Sequence, residues 1–125
     1  MRAHAKRLFI PATLFNWLVV LSILFLSDWL RPLLPLDVSI GTNLAFRDIG
    51  LALIAVFGLS YGLVAFQPQR FRPYIGLGIV AKSLVVMTVY GHWFAGHIDW
   101  QLPVVAFGDV VFVALFYNFL RRYPV

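Results

Sequence analysis

Four apolar runs, each about 18 to 21 residues long, take up most of the chain: Leu8–Leu26, Ile49–Phe66, Tyr74–Phe94 and Leu102–Leu120. Wound as a helix, a run of that length crosses a hydrocarbon layer about 30 Å thick. The composition points the same way. Of 125 residues 62% are hydrophobic and 12% charged, whereas a soluble domain is nearer half and a quarter. So little polar surface leaves the bilayer as the expected solvent. We therefore expect an all-α membrane protein, a single domain over residues 1–125, with four transmembrane helices in an antiparallel bundle. Pro11 and Pro103 are expected in opening turns, where a missing N–H is harmless. The basic Met1–Arg7 segment invites comparison with a signal peptide. The apolar run behind it is too long, however, and ends in Leu26-Ser-Asp-Trp-Leu30 without a small-x-small cleavage pattern, so it reads as a retained helix.

The charges set an orientation. Arg2, Lys6 and Arg7 precede the first run, Arg70 and Arg72 lie between the second and third, and Arg121 and Arg122 follow the fourth. The other two connections hold Asp28, Asp37, Asp99 and the Arg47–Asp48 pair, with Arg31 as their remaining basic residue. By the positive-inside rule, both termini and the 67–73 turn are expected to be cytoplasmic. Trp29, Trp93, Trp100 and Tyr74 then fall near the interfaces, where amphipathic rings settle. The net charge of +5 is thus a topology signal rather than a nucleic-acid footprint. There is no cysteine, which removes disulfides and thiolate metal sites. The Leu30–Leu36 segment is too apolar to float free and is expected on the outer interface or as a cap on the bundle.

The second run carries Ala55, Gly58, Gly62 and Ala65 at spacings of three and four. Such a stripe lets another helix come close, within the bundle or between two copies of the chain.

Lys82 and Asp109 carry the full charges within the apolar runs. At about 1.5 Å per residue from the cytoplasmic ends, Asn16 and Lys82 lie roughly 12 Å deep and Asp109 about 16 Å, with Ser60 and Tyr61 slightly shallower. A lone charge at mid-depth costs at least about 2.5–3.5 kcal/mol, and such groups face the bundle interior and pair. We therefore expect a Lys82–Asp109 ion pair, with Asn16, Ser60 or Tyr61 filling its remaining hydrogen-bond valences. The alternative is that Lys82 snorkels toward the cytoplasmic face. The pair either pins the bundle or forms a proton- or ligand-responsive centre, since buried lysines shift their protonation readily.

At the outer rim stand Arg47 and Asp48, expected at the start of the second helix, and His92, Trp93 and His97 in the 92–100 connection. Asp48 there is expected as a first-turn acid favoured by the helix dipole. Two histidines and two carboxylates can bind a transition metal. Yet His92 and His97 stand five apart across a glycine and match no zinc spacing, so no metal is expected. A quinone or lipid headgroup seated between Trp93, His92 and Arg47 is the better expectation. Neither H-E-x-x-H nor Walker A occurs, and no catalytic residue is expected.

Arg47-Asp-Ile-Gly50, Gly58-Leu-Ser-Tyr61, the short Pro/Arg turn and Gly108-Asp-Val-Val-Phe112 together give a chain that resembles the small four-helix bacterial inner-membrane proteins of the DoxX-like type. The resemblance implies a four-helix bundle in the bacterial inner membrane, often an accessory subunit to a redox system. It assigns no functional residue. The expected function is that of an accessory or interaction protein binding a partner subunit, lipid or quinone within the bilayer. The alternative is a small transporter or permease, assembled as a homo-oligomer around Lys82 and Asp109. An intramembrane enzyme using the outer rim is the least favoured reading.

Overall fold

The structure, a computed structural model, describes residues 1–26 and 39–124. Within them the regular structure is four helices: α1 (Arg2–Phe25), α2 (Gly41–Phe66), α3 (Arg72–Phe94) and α4 (Gln101–Arg122). All four are long and apolar enough to cross a membrane. The Leu30–Leu36 segment and its expected place on the outer interface lie outside the described residues.

The helices run further than the apolar runs that announce them. α1 begins at Arg2 rather than Leu8, and α2 at Gly41 rather than Ile49. Hydropathy marks only the apolar part of a helix, whereas backbone bonding continues through the polar turns beyond. Two expectations change as a result. Pro11 sits inside α1, not in its opening turn. The bond it cannot make would go to the carbonyl of Arg7, an exposed residue. Asp48 lies well past the first turn of α2, which holds no acid, so it gains nothing from the helix N-terminus. Pro103 does lie in the first turn of α4, and Pro73 in that of α3.

Register shows the bundle to be antiparallel. From Thr13 to Asn16 on α1 the partners on α2 step back from Gly58 to Ile54. Along α3, Arg72, Lys82 and Tyr90 meet Leu120, Asp109 and Pro103 of α4 in that order. α1 also runs against α4, with Phe9 on Phe116 and Phe15 on Phe112. The chain is therefore two hairpins, α1–α2 and α3–α4, laid side by side.

Burial is concentrated at the end of the bundle that carries the termini. Ala5, Leu8, Phe9 and Ala12 of α1, Tyr61, Val64 and Ala65 of α2, Ile75 of α3, and Phe116 and Phe119 of α4 form one cluster there. Phe9 stacks on Phe116 with centroids 4.8 Å apart and meets Phe119 edge-on at 5.3 Å. Tyr61 meets Phe116 edge-on at 5.1 Å. Toward the opposite, distal end, the buried apolar side chains among the described residues are Leu51, Pro103 and Ala106. Leucines, valines and phenylalanines such as Leu18, Leu53, Leu84 and Phe107 cover the outside. In a bilayer, where lipid tails are as apolar as leucine, helix association would be driven by close backbone approach and interhelical hydrogen bonds rather than by these side chains.

Candidate functional site: a lysine shared by four helices

The α1–α2 seam is built from small residues facing polar ones. A Cβ added at Gly58 would come within 2.6 Å of the Trp17 indole nitrogen and 3.2 Å of the Asn16 Cβ. At Gly62 it would lie 3.5 Å from the Thr13 hydroxyl. The stripe on α2 thus receives α1 within the same chain. The close approach lets three side chains of α1 donate to carbonyls of α2: Thr13 Oγ1 to Gly58 (2.9 Å), Asn16 Nδ2 to Ile54 (3.1 Å) and Trp17 Nε1 to Ala55 (3.2 Å). Ala65, the last residue of the stripe, is buried in the terminal cluster. Sequence reading picked out Asn16 but missed Thr13 and Trp17. The signal was available, since all three lie within one helical turn on one face.

This seam holds Asn16 with its amide oxygen toward the bundle axis, where it accepts from Lys82 Nζ at 3.3 Å. Lys82, on α3, also donates to Asp109 Oδ1 of α4 at 2.5 Å. The lysine side chain is 6% exposed and that of Asp109 16%. Around the ammonium stand three aromatic rings, each with its centroid 5.4 Å away: Phe15 of α1, Tyr61 of α2 and Phe112 of α4. A desolvated cation over such faces gains up to about 2 kcal/mol. One ammonium therefore touches every other helix, through a carboxylate, an amide and three rings. Among the described residues no buried side-chain nitrogen or oxygen lacks a partner.

The cage depends on two further glycines. A Cβ on Gly78 would come within 2.7 Å of Tyr61 Cε1, and one on Gly108 within 2.9 Å of Phe15 Cζ. Each glycine leaves the space in which a caging ring sits. Ser60 is not part of the centre. Its hydroxyl donates to the carbonyl of Phe57, one turn back on its own helix, at 2.7 Å.

At the terminal end Arg72 closes α4. Its guanidinium donates to the carbonyls of Tyr123 (2.5 Å) and Leu120 (3.2 Å), which have no partner within the helix. Arg72→Met is expected to cost about 1–2 kcal/mol and to speed amide hydrogen exchange near the end of α4. Arg72→Lys should restore only part, because a single ammonium cannot reproduce a two-pronged contact. Unchanged exchange in Arg72→Met would remove this role.

The outer-rim residues separate into two groups. Arg47 pairs with its neighbour Asp48 at 3.0 Å. His92 and Trp93 lie in the last turn of α3 rather than in the connection, and His97 follows that turn. The Nδ1 atoms of His92 and His97 are 2.8 Å apart. Among the described residues no hydrogen bond, ion pair or ring contact joins Arg47 or Asp48 to His92, Trp93 or His97. A cavity of about 750 Å³ opens at the terminal end, lined by Met1–Ala3 and Phe66–Arg70, with Arg2 and Arg70 as its charged walls.

Comparison of the chain with protein-family models, with curated proteins and with solved structures returns no match.

Proposed function

We propose that this chain is an integral inner-membrane accessory protein of the DoxX-like type, which docks a partner subunit, a lipid or a quinone against its apolar flanks. One observation carries the reading: the hydrogen bonds and ring faces around Lys82 are supplied from within the chain. A charge so occupied serves to hold two hairpins together. A transport centre would instead need groups that exchange partners with a substrate. The cavity between Arg2 and Arg70 supports a lipid as one ligand, because basic recesses at the cytoplasmic surface hold anionic headgroups. The transporter reading rests on Asp109, whose side chain keeps 16% exposure inside the span.

The two readings part in reconstituted vesicles. For the accessory protein, the Lys82→Met/Asp109→Asn double variant, which keeps the volume without the charges, should leave partner cross-linking from α2 and α3 unchanged, and neither form should carry ion flux. Flux in the parent protein that the folded double variant lacks would sink the accessory reading and favour an oligomeric transporter.

For orientation we propose that both termini are cytoplasmic, supported by Arg2, Lys6, Arg7, Arg70, Arg72, Arg121 and Arg122 clustering at the terminal end. A fluorescent protein fused after Val125 should mature, and alkaline phosphatase fused at Asp99 should be active. The reverse pair of results would invert the topology.

A further inference from the structure

The end of α3 is a turn whose backbone bonds decide which side chains meet. Gly96 N–H donates to the carbonyl of Trp93 (3.0 Å), and His97 N–H to the carbonyl of His92 (2.9 Å). Gly96 takes φ +80°, the left-handed region that glycine adopts without strain. These are the two nested bonds of a Schellman motif, which brings the side chain just past the turn against the one five residues before it. That contact is commonly apolar. Here both residues are histidines, with ring centroids 5.1 Å apart. The base beneath them is anchored, because Tyr90 Oη donates to the carbonyl of Pro103 on α4 at 3.0 Å and Trp93 stacks on Phe94. Both imidazoles are exposed.

We propose that His92 and His97 form a two-nitrogen chelate for a divalent transition-metal ion with tetragonal preference, Cu(II) or Ni(II), at the distal end of the bundle. Metal–imidazole bonds are about 2.0 Å long, so two at a right angle place their nitrogens about 2.8 Å apart and two at a tetrahedral angle about 3.3 Å apart. The observed 2.8 Å matches the right-angle separation. Imidazole suits these ions, and Cu(II) leads the divalent series in affinity. Among the described residues no group of three or more potential ligands gathers at any site. The remaining coordination positions therefore belong to water or to a donor from a second molecule. That gives the protein an exchangeable metal site at the membrane surface, independent of the role proposed for the lysine centre.

An N–H···N hydrogen bond between the two rings meets the same 2.8 Å separation, so the test must separate the two arrangements. Full-length protein without an affinity histidine tag is titrated with CuCl2 in detergent, followed by calorimetry and electron paramagnetic resonance. The proposal expects one ion per chain with a signal split by two nitrogens. His92→Ala and His97→Ala should each weaken binding at least about tenfold, while His4→Ala leaves it unchanged. Gly96→Ala, which keeps both imidazoles but strains the turn, should weaken binding as well. The proposal is overturned if the parent binds Cu(II) no more tightly than His92→Ala/His97→Ala. A signal split by one nitrogen likewise overturns it, and either result leaves a hydrogen-bonded histidine pair.

Discussion

Lys82→Met is expected to lower the unfolding free energy by about 3–5 kcal/mol, because it leaves the largely buried Asp109 carboxylate without its counter-charge. The loss should appear as a fall in the melting temperature of the detergent-solubilised protein. Asp109→Asn alone should cost a similar amount, since it strands the ammonium instead. The double variant Lys82→Met/Asp109→Asn should recover most of the loss. Replacing a buried pair by neutral groups of similar volume is often close to neutral, because the desolvation of both charges disappears with their attraction. Full recovery is not expected, as Asn16 Oδ1 loses its donor and three ring faces lose their cation. Losses in the two single variants that simply add in the double would show that the charges act independently and would end the pairing argument.

Gly78→Ala comes next in expected effect, although it adds a single methyl group. The new Cβ would lie 2.7 Å from Cε1 and 3.0 Å from the hydroxyl of Tyr61, which is fully buried and has nowhere to swing. Overpacking of this kind costs about 1–3 kcal/mol. It should also push one ring off the ammonium, so part of the Lys82 contact goes with it. Gly58→Ala makes an equally short contact, but with Trp17, whose residue is 41% exposed and can rotate outward. The ordering is therefore Gly78→Ala well below Gly58→Ala in thermal stability. An equal or reversed ordering would show that Tyr61 is not held in place.

How far the sequence could be read depended on what kind of signal each feature left. The four helices were visible because each carries a long apolar run, and such runs stand out. Their true ends were not, since Arg2–Arg7 and Gly41–Asp48 continue as helix in residues that look like loop. Depth counting singled out Asp109 for Lys82 because charges inside apolar runs are scarce. The cage could not be found that way: with 12 phenylalanines in the chain, nothing marked Phe15 and Phe112 among them. Ser60 was drawn to the centre by depth alone, but a carbonyl on its own helix offered a nearer acceptor. The His92–His97 contact escaped because a five-residue step belongs to neither helical face. It arises only where a left-handed glycine turns the chain back on itself.

Were the four helices to cross a bilayer, as their length and hydropathy allow, the side-by-side hairpins would bear on how they enter it. α3 arriving alone would present an ammonium to the lipid, at an insertion cost of at least about 2.5–3.5 kcal/mol. Its counter-charge sits on the helix synthesised next, across the short 95–100 connection. Partitioning α3 and α4 together carries a neutral pair into the bilayer. α1 and α2 hold no such charge within their apolar runs and can settle first. Biogenesis would then proceed in two strokes, and a ribosome stalled between Phe94 and Gln101 would leave the third helix waiting at the translocon for its partner.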